Sequence, residues 1–324
     1  MKIAVIDDYQ DSFRNLACFG RLAGHEVTVY HDTVKDPVQL AERLKDAECL
    51  VLTQQRSPFP RALAERLPKL KMISQTGRNT NHIDMDACTA LGITVCAGGA
   101  GTPNSTAELT WGLILASLRS IPQEVQRLKE GRWQTTVGTG VAGKTLGVYA
   151  YGRIGSIVAQ VGRVFGMKVV CWGREGSLGK AKADGFEAAA SREAFFEQSD
   201  VVCLHLPLNK DTRGIVKAAD LARMKPTALI VNTSRAPLIE AGALVAALEA
   251  GRPGFAAIDV YEDEPVTGGN HPLLKLDNAL CTPHLGYVER GTYELYFGLA
   301  IDAILGFAAG KPVNVLNPDA VGKR

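Results

Sequence analysis

The sequence predicts an α/β fold in which two domains each contain a doubly wound parallel sheet with helices on both faces. Three observations lead to this prediction. Short apolar runs alternate with segments of helical periodicity along most of the chain, which is typical of such sheets. A length of 324 residues favours two domains over one. An apolar strand, a glycine-bearing turn and an amphipathic helix follow one another without a break from Thr145 to Phe165.

The N-terminal part of the chain predicts five strands separated by helices. An amphipathic helix over residues 37–44 follows the second strand, and Pro60 marks the start of another helix. Asp7, Asp8 and Asp11 follow the first strand at a predicted helix start, where the helix dipole favours acids. The predicted strands are residues 2–6, 27–30, 49–52, 72–74 and 93–96.

A glycine-rich stretch over residues 97–103 marks the crossing to a second domain. Ser105 and Glu108 form a capping box that predicts the start of a long apolar helix over residues 106–118. The alternation of strands and helices then resumes, and a final helix is expected from Glu289. The predicted strands of this part are residues 145–150, 167–172, 200–205, 228–232, 255–260 and 278–282, with further helices over 154–165 and 243–249.

Composition and charge argue against several classes of function. The formal net charge is +2, with lysine and arginine spread along the chain, so we expect no nucleic-acid partner. No apolar run is long enough to cross a membrane, and acidic residues come too early for a signal peptide. Seven cysteines lack any C-x-x-C spacing, which predicts reduced thiols, a cytoplasmic location and no metal site.

The glycine turn over residues 150–155 predicts a dinucleotide site. It reads A-Y-G-R-I-G, against the G-x-G-x-x-G pattern whose turn places a pyrophosphate on the free N–H groups of a helix N-terminus. Ala150 stands where the pattern has its first glycine. A tight strand-to-helix turn of an ordinary parallel sheet is therefore the alternative at this point.

Four charged side chains lie just beyond the carboxyl ends of predicted strands: Arg235, Asp259, Glu264 and His284. Ligands of open α/β sheets bind at this edge. An arginine can hold a carboxylate with two parallel hydrogen bonds, and a histidine can exchange a proton near neutral pH. A carboxylate beside the histidine would favour its charged form. Each residue alone could also be a solvated loop residue or a surface pair, so their shared edge is what favours a site.

Five segments, in this order and spacing, carry a resemblance to a known family. They are residues 151–155 (YGRIG), 204–208 (LHLPL) with Thr212, 232–235 (NTSR), 259–265 (DVYEDEP) and 282–286 (TPHLG). Through them the chain resembles the D-isomer-specific 2-hydroxyacid dehydrogenases over essentially its whole length. The resemblance implies two Rossmann-like domains: a split substrate domain, residues 1–101 and 289–324, and a dinucleotide-binding domain, residues 102–288. It also implies domain closure over the site and a homodimer built on the dinucleotide-binding domain.

The resemblance assigns roles to individual residues. It implies a catalytic group of Arg235, Glu264 and His284, in which the arginine binds the substrate carboxylate and the glutamate–histidine pair exchanges the proton. The predicted cofactor contacts are Arg153 and Ile154 at the pyrophosphate, Pro207 and Thr212 near the adenosine, Thr233 and Asp259 near the nicotinamide, and in addition Tyr151, Gly152, Gly173, Arg174, Gly286 and Thr106.

Three positions depart from the family pattern. The first is Ala150 in the glycine turn. The second is Gly173, which stands where NAD-specific members carry the acid for the ribose diol and which Arg174 follows. The missing acid and the arginine predict a preference for NADP. NAD is the alternative, because Glu175, one residue beyond Arg174, could turn inward. The third is Arg78-Asn79, which replaces a small residue and a glycine in the substrate loop. Both residues are predicted substrate contacts.

The sequence therefore predicts a nicotinamide-dependent oxidoreductase that interconverts a small 2-oxo acid and a D-2-hydroxy acid, without naming the acid. Two alternatives stay open. A dinucleotide-sensing protein similar to the corepressors of this fold would keep the same residues, although we expect no extended disordered tails here. An enzyme similar to formate dehydrogenase would differ in its substrate pocket. We expect no regulatory domain of the kind found in long phosphoglycerate dehydrogenases.

Overall fold

The computed structural model describes residues 1–99 and 101–324, which form two compact units. The first unit contains the described residues of Met1–Thr102 together with Val288–Arg324, and the second contains Pro103–Tyr287. Ala100, in the predicted glycine-rich crossing, lies outside the described residues. Assignment of the first unit to substrate and of the second to dinucleotide stays a prediction.

Each unit contains one parallel sheet, which confirms the predicted fold class. The strands are β1 Lys2–Ile6, β2 Glu26–Val29, β3 Cys49–Leu52, β4 Met72–Thr76, β5 Thr94–Gly98, β6 Thr145–Tyr149, β7 Lys168–Trp172, β8 Glu187–Ala188, β9 Val201–Leu204, β10 Leu229–Asn232, β11 Phe255–Ile258 and β12 Ala279–Cys281. The helices are α1 Pro37–Leu44, α2 Arg61–Ala64, α3 Met85–Ala90, α4 Pro103–Leu118, α5 Ile121–Lys129, α6 Arg153–Val164, α7 Glu175–Ala183, α8 Arg192–Gln198, α9 Ala218–Arg223, α10 Ala243–Glu249 and α11 Arg290–Ala308.

The first unit has the strand order β2-β1-β3-β4-β5. Its last helix comes from the C-terminal part of the chain, because α11 packs on β4, where Ser74 Oγ donates to the carbonyl oxygen of Ala300 at 2.9 Å. Val315 then pairs with Cys96 of β5 in an antiparallel bridge. The unit is therefore completed by two segments that are distant in sequence.

The second unit has the strand order β12-β11-β10-β9-β6-β7-β8. Alternate residues of its central strands enter two different apolar cores: Val202 and Leu204 of β9 face one, and Val201 and Cys203 face the other. All four side chains are buried. Burial on both faces explains why these strands read as continuous apolar runs in the sequence.

Helix α5 stands apart from both cores. It has no buried residue, and its apolar side chains Ile121, Val125 and Leu128 are each about half exposed. Trp133, in the polar segment that follows, is 74% exposed. These four side chains form an apolar surface on the second unit, which we call the α5 surface.

Two local predictions were wrong. The capping box at Ser105 does not exist, because α4 begins at Pro103, whose fixed φ suits the first helical turn, and Ser105 Oγ donates to the carbonyl oxygen of Gly286 instead. The acids after β1 do not open an α-helix. Asp8 accepts hydrogen bonds from the backbone N–H groups of Ser12 and Phe13, and a 3₁₀ turn follows at Phe13–Asn15. No helix in the described part of the chain combines the length and apolar character needed to span a bilayer.

Candidate active site

The carboxyl edge of the second sheet brings together residues that are far apart in sequence. Arg235 follows β10, Asp259 follows β11 and His284 follows β12, and these three strands are neighbours in the sheet. Glu264 lies in the loop after β11. This strand order explains why these side chains share one edge, as the sequence predicts.

His284 and Glu264 form a close pair. The distance between His284 Nδ1 and Glu264 Oε2 is 2.6 Å, and both side chains are about a quarter exposed. The other carboxylate oxygen, Oε1, accepts a hydrogen bond from the backbone N–H of Tyr261 at 2.9 Å. The carboxylate is thus held at both oxygens, and the imidazole ring has a fixed partner on one nitrogen.

The charge state of Glu264 follows from its neighbours. Burial raises the pKa of this carboxyl, but the hydrogen bond and the charge of His284 outweigh burial. The Tyr261 N–H and the charge of Arg235 act in the same direction, so the pKa of Glu264 lies below its ordinary value. Glu264 is therefore ionised near neutral pH and stabilises a charged His284.

Asp259 fixes the turn that carries His284. The backbone of His284 has a φ of 53°, in the left-handed region that side chains rarely adopt. Asp259 Oδ1 accepts from the N–H of Leu285 at 2.7 Å and from Thr282 Oγ1 at 2.6 Å, while Oδ2 accepts from the N–H of Gly286 at 2.9 Å. Burial raises the pKa of Asp259, and these hydrogen bonds offset only part of that effect. The strained turn is thus held by a buried carboxyl group.

Arg235 lies at the start of the 3₁₀ turn Ala236–Leu238. Its carbonyl oxygen accepts from Asn232 Nδ2 at 2.9 Å, and its guanidinium donates to the carbonyl oxygen of Ser234 at 2.6 Å. The side chain is partly exposed, and its charge is one cause of the lowered pKa of Glu264. A cation is therefore held near the Glu264–His284 pair.

A second histidine lies at this edge but has different chemistry. His205 follows β9, and its Nε2 is buried without a hydrogen-bond partner among the residues described. Burial lowers the pKa of His205 to about 4, so this ring is neutral near pH 7. It lacks the carboxylate that would let it hold a proton there.

The glycine turn fits a dinucleotide pyrophosphate. Helix α6 begins after its N-cap residue Gly152, which has no side chain to cap the N-terminal N–H groups, and a Cβ added at Gly152 would meet open space. A Cβ at Gly155 would lie 2.4 Å from the carbonyl oxygen of Ala150, so this position requires glycine. Ala150 itself has a φ of 76°, so the alanine that stands in place of the first glycine still adopts the backbone conformation of a glycine. Arg153 is exposed and Ile154 partly buried at the first turn of α6.

Tyr151 lies in the turn, but its side chain is buried. Its hydroxyl donates to Asp184 Oδ2 at 2.5 Å, its ring contacts Phe186, and its backbone N–H donates to Ser177 Oγ at 2.8 Å. The structure therefore gives Tyr151 a role in holding the turn against α7.

The predicted ribose position lies at the end of β7. Gly173 has a φ of 154°, and a Cβ there would lie 3.5 Å from Ser177 Oγ. Arg174, the N-cap residue of α7, is exposed, and its guanidinium lies 3.5 Å from Asp211 Oδ2. A guanidinium is present at this edge, with an exposed carboxylate beside it.

Thr212 closes the loop after β9. Its hydroxyl donates to the carbonyl oxygen of Pro207 at 2.7 Å and accepts from the N–H of Asn209 at 2.8 Å. The two predicted adenosine contacts are thus bonded to each other.

Helix α4 is fastened to the same edge by hydroxyl groups. The Oγ1 atoms of Thr110 and Thr233 lie 2.9 Å apart, and Thr106 Oγ1 and Ser105 Oγ both donate to the carbonyl oxygen of Gly286 at 2.8 Å. Among these residues Ser105 and Thr110 were not predicted as site residues. The helical spacing of Thr106 and Thr110 is a signal that could have identified Thr110.

Arg78 and Asn79 lie in the first unit, in the exposed loop after β4. Arg78 takes part in no ion pair among the residues described, and Asn79 Oδ1 accepts from the N–H of Asn81 at 3.0 Å. Gln54, which the prediction also omitted, places its amide nitrogen 3.1 Å from where a Cβ of Gly77 would be. Only glycine, with a φ of 83° here, allows this approach easily.

One group of possible metal ligands occurs in the described chain, where the sequence predicted none. Ligand atoms of Asp8, Asp11 and His31 lie within 4.8 Å of one another. Both oxygens of Asp8 already accept hydrogen bonds from the turn that follows β1. We therefore interpret Asp8 as a residue that stabilises this turn and not as a metal ligand.

Comparisons with known proteins find a matching family model, several relatives and similar solved structures. Residues 111–286 match the model of the D-isomer specific 2-hydroxyacid dehydrogenase, NAD binding domain. A glyoxylate reductase from Aeropyrum pernix is 35% identical over 272 residues, which cover 81% of each chain. A D-3-phosphoglycerate dehydrogenase from Methanocaldococcus jannaschii is 37% identical over 289 residues, or 88% of this chain, and the match spans only 53% of that relative.

A crystal structure from Ralstonia solanacearum is similar over nearly the whole chain. It has a TM-score of 0.96 and 52% identity, with 99% of this chain and 98% of that chain covered. Its assignment as a D-3-phosphoglycerate dehydrogenase oxidoreductase is provisional. The matched family region contains β6–β12 as well as Glu264 and His284.

Proposed function

Because the chain belongs to the D-isomer-specific 2-hydroxyacid dehydrogenase family, we propose that it interconverts a small 2-oxo acid and the corresponding D-2-hydroxy acid with a nicotinamide dinucleotide. The observation that carries the proposal is the 2.6 Å contact between His284 Nδ1 and Glu264 Oε2. It supplies an ionised carboxylate and a histidine at the edge of a sheet whose glycine turn suits a dinucleotide.

In the proposed reduction, His284 donates the proton. Its Nδ1–H is bonded to Glu264, so Nε2 is the nitrogen that delivers a proton to the substrate carbonyl oxygen. Arg235 binds the substrate carboxylate with its guanidinium. In the reverse direction the neutral imidazole accepts the hydroxyl proton, and Glu264 stabilises the resulting charge.

The cofactor would supply the hydride when it is bound. The N-terminal N–H groups of α6, with Arg153 and Ile154, would hold the pyrophosphate, and Pro207 and Thr212 would border the adenosine. Thr233, Asp259, Gly286 and Thr106 would border the nicotinamide side. Closure over the site would exclude water from the proton transfer.

NADP is the proposed preferred cofactor. Support comes from the exposed guanidinium of Arg174 and from the missing acid at Gly173. Arg174→Ala should lower kcat/KM for NADPH about 10-fold while kcat/KM for NADH changes less than about 2-fold, the usual difference for a charged hydrogen bond.

Asp211→Asn is the matched variant for this test. It removes the carboxylate 3.5 Å from Arg174 and so frees the guanidinium, and it should raise the preference for NADPH. Wild-type protein that prefers NADH, or no change in either variant, would leave NAD as the cofactor.

Arg78 and Asn79 are the proposed substrate-selecting residues. Their support is an exposed cation without an ion pair among described residues, in a loop at the carboxyl edge of the first sheet. A cation there would favour 2-oxo acids with a second anionic group over glyoxylate or pyruvate.

A homodimer built on the second unit is the proposed assembly. The α5 surface supports it, because an apolar helix face with no core of its own is typical of an interface. Val125→Asp with Leu128→Asp should convert a dimer to a monomer in size-exclusion chromatography with light scattering. Wild-type protein that is monomeric at micromolar concentration would remove this part of the proposal.

A cytoplasmic location completes the proposal. All seven cysteines are free thiols, and five of them are buried. Fractionation of cells that express the tagged protein would test this location.

The activity itself is tested by following NADPH and NADH oxidation with glyoxylate, hydroxypyruvate, pyruvate, phosphohydroxypyruvate and bulkier 2-oxo acids. The proposal expects turnover of at least one of them and a product of D configuration on chiral chromatography. Cofactor binding without turnover of any 2-oxo acid would instead favour a dinucleotide-sensing protein.

A further inference from the structure

The loop that carries Glu264 contains an exposed, glycine-bearing stretch. Gly268 and Gly269 both have positive φ, and residues 267–270 are exposed. The carboxylate must nevertheless stay in one orientation to hold His284 at 2.6 Å. Some neighbouring group has to fix the loop relative to the turn at residues 282–286.

Tyr261 contacts both parts of the acid–base pair. Its backbone N–H donates to Glu264 Oε1 at 2.9 Å, and its hydroxyl donates to the carbonyl oxygen of Thr282 at 2.9 Å. That carbonyl also accepts the N–H of His284 at 3.0 Å. One buried residue thus joins the carboxylate to the turn of the imidazole.

The hydroxyl of Tyr261 is a reliable donor. The residue is only 8% exposed, and burial, with the neighbouring Cys281 thiol, raises the pKa of Tyr261. A buried phenol that stays protonated must place its hydrogen on an acceptor. The Thr282 carbonyl, at 2.9 Å, is the nearer of two backbone acceptors, the other being the Ile258 carbonyl at 3.5 Å.

His271 holds the ring of Tyr261 from the far end of the loop. The two ring centroids are 4.9 Å apart in an edge-to-face arrangement. Leu273 N–H donates to His271 Nδ1 at 3.3 Å, which leaves the proton on Nε2, 3.1 Å from Glu262 Oε2. Glu262 is mostly exposed, so the ring contact contributes more than this hydrogen bond.

We propose that Tyr261 is a positioning residue for the Glu264–His284 pair and that His271 keeps Tyr261 in place by ring packing. The inference rests on the proposed function, in which that pair transfers the proton. Neither residue touches the reacting atoms. Their effect is to keep the carboxylate and the imidazole in register.

Tyr261→Phe removes one hydroxyl and keeps the ring. It should lower kcat about 3- to 10-fold, the usual cost of one hydrogen bond, while KM for the cofactor changes less than about 2-fold. The fall of kcat/KM at high pH should move down by about half a pH unit, because a less firmly held turn at Thr282 lets the imidazole move away from the carboxylate that stabilises its charge. Tyr30→Phe is the matched control, since that hydroxyl also donates to a backbone carbonyl, Arg43 at 3.1 Å, and it should leave both readouts unchanged.

His271→Ala and His271→Phe separate ring packing from hydrogen bonding. The alanine variant should lower kcat by a similar factor, and the phenylalanine variant should recover most of that loss. Equal losses in the two variants would contradict the role of ring packing. Thermal unfolding of each variant reports whether the protein remains folded.

A double-variant cycle with His284→Ala tests whether Tyr261 acts through the pair. In the His284→Ala background, Tyr261→Phe should cause no further loss of kcat beyond about 2-fold. A second loss as large as in wild type, or a Tyr261→Phe variant with unchanged kcat and pH profile, would overturn the inference. If His284→Ala alone left turnover unchanged, the proposed function would fail instead.

Discussion

The carboxyl edges of the two parallel sheets end in different kinds of polar chemistry. In the second unit, Glu264 and His284 are bonded to each other, and Asp259 accepts from three donors. In the first unit, Gln54 Nε2, Gln75 Oε1 and both ring nitrogens of His82 are buried without a hydrogen-bond partner among the described residues, and at the second edge His205 Nε2 is in the same situation. Strand β3 of the first unit and strand β10 of the second are both buried along their whole length.

The difference separates reaction chemistry from ligand selection. A proton transfer needs its acid and base oriented before the substrate arrives, so the groups are bonded to one another. Buried polar groups without partners cost about 1–3 kcal/mol each unless a ligand or water satisfies them. We therefore propose that the second edge carries out the reaction and that the first edge selects the substrate.

The largest expected effect is at the second edge. His284→Ala should lower kcat by about 10²–10⁴, the usual contribution of a general acid, because burial lowers the pKa of the other histidine at this edge, His205, to about 4. Cofactor affinity, measured by fluorescence titration, should stay within about 2-fold of wild type. His25→Ala serves as the control, and near wild-type turnover in His284→Ala would move the proton donor elsewhere.

The next effect concerns the cation of the second edge. Arg235→Lys should raise KM for the 2-oxo acid about 10- to 100-fold, because lysine keeps the charge but loses the planar pair of donors. Steady-state kinetics with one good substrate is sufficient. Identical KM values would show that the two parallel hydrogen bonds are not used.

A smaller and more selective effect is expected at the first edge. Arg78→Ala should lower kcat/KM about 10-fold for 2-oxo acids with a second anionic group, and change it little for glyoxylate or pyruvate. Arg66→Ala, at another exposed arginine of the first unit, should leave the ranking of substrates unchanged. A uniform effect of Arg78→Ala on all substrates would contradict the division between the two edges.

The smallest effect concerns strain in the glycine turn. Ala150→Gly should stabilise the protein by about 1 kcal/mol, because Ala150 has a φ of 76° that glycine adopts without cost. Ala309→Gly, at a φ of −84°, should destabilise it. Urea unfolding measures the change in the free energy of unfolding for both variants. Destabilisation by both substitutions would show that strain at Ala150 is relieved elsewhere.

The fold was more predictable than the site, for a physical reason. Apolar runs buried on both faces of a sheet are visible in the sequence, and α1 and β3 have the predicted bounds. Helices α7, α8 and α9 and the short β8 were not predicted, because they are short and interrupted by polar residues or glycine.

The site depends on contacts between residues that are distant in sequence. Glu262, Asp263 and Glu264 are adjacent acids that no local pattern distinguishes. The family resemblance singles out Glu264, and the fold places it 2.6 Å from His284. The positive φ of His284 follows from hydrogen bonds to Asp259, which no local pattern contains. Likewise, the hydroxyl of the buried Tyr151 is bonded to Asp184, the C-cap residue of α7.

The pH dependence of kcat/KM for 2-oxo acid reduction, in wild type and in Glu264→Gln, tests the central claim most directly. Reduction needs a proton donor, so the rate should fall at high pH, where the donor has lost its proton. Glu264 has a lowered pKa and is ionised across this range, and its removal should shift the fall about 1 pH unit lower. Superimposable profiles for the two proteins would contradict the assignment of Glu264 and His284 as the proton-transfer pair.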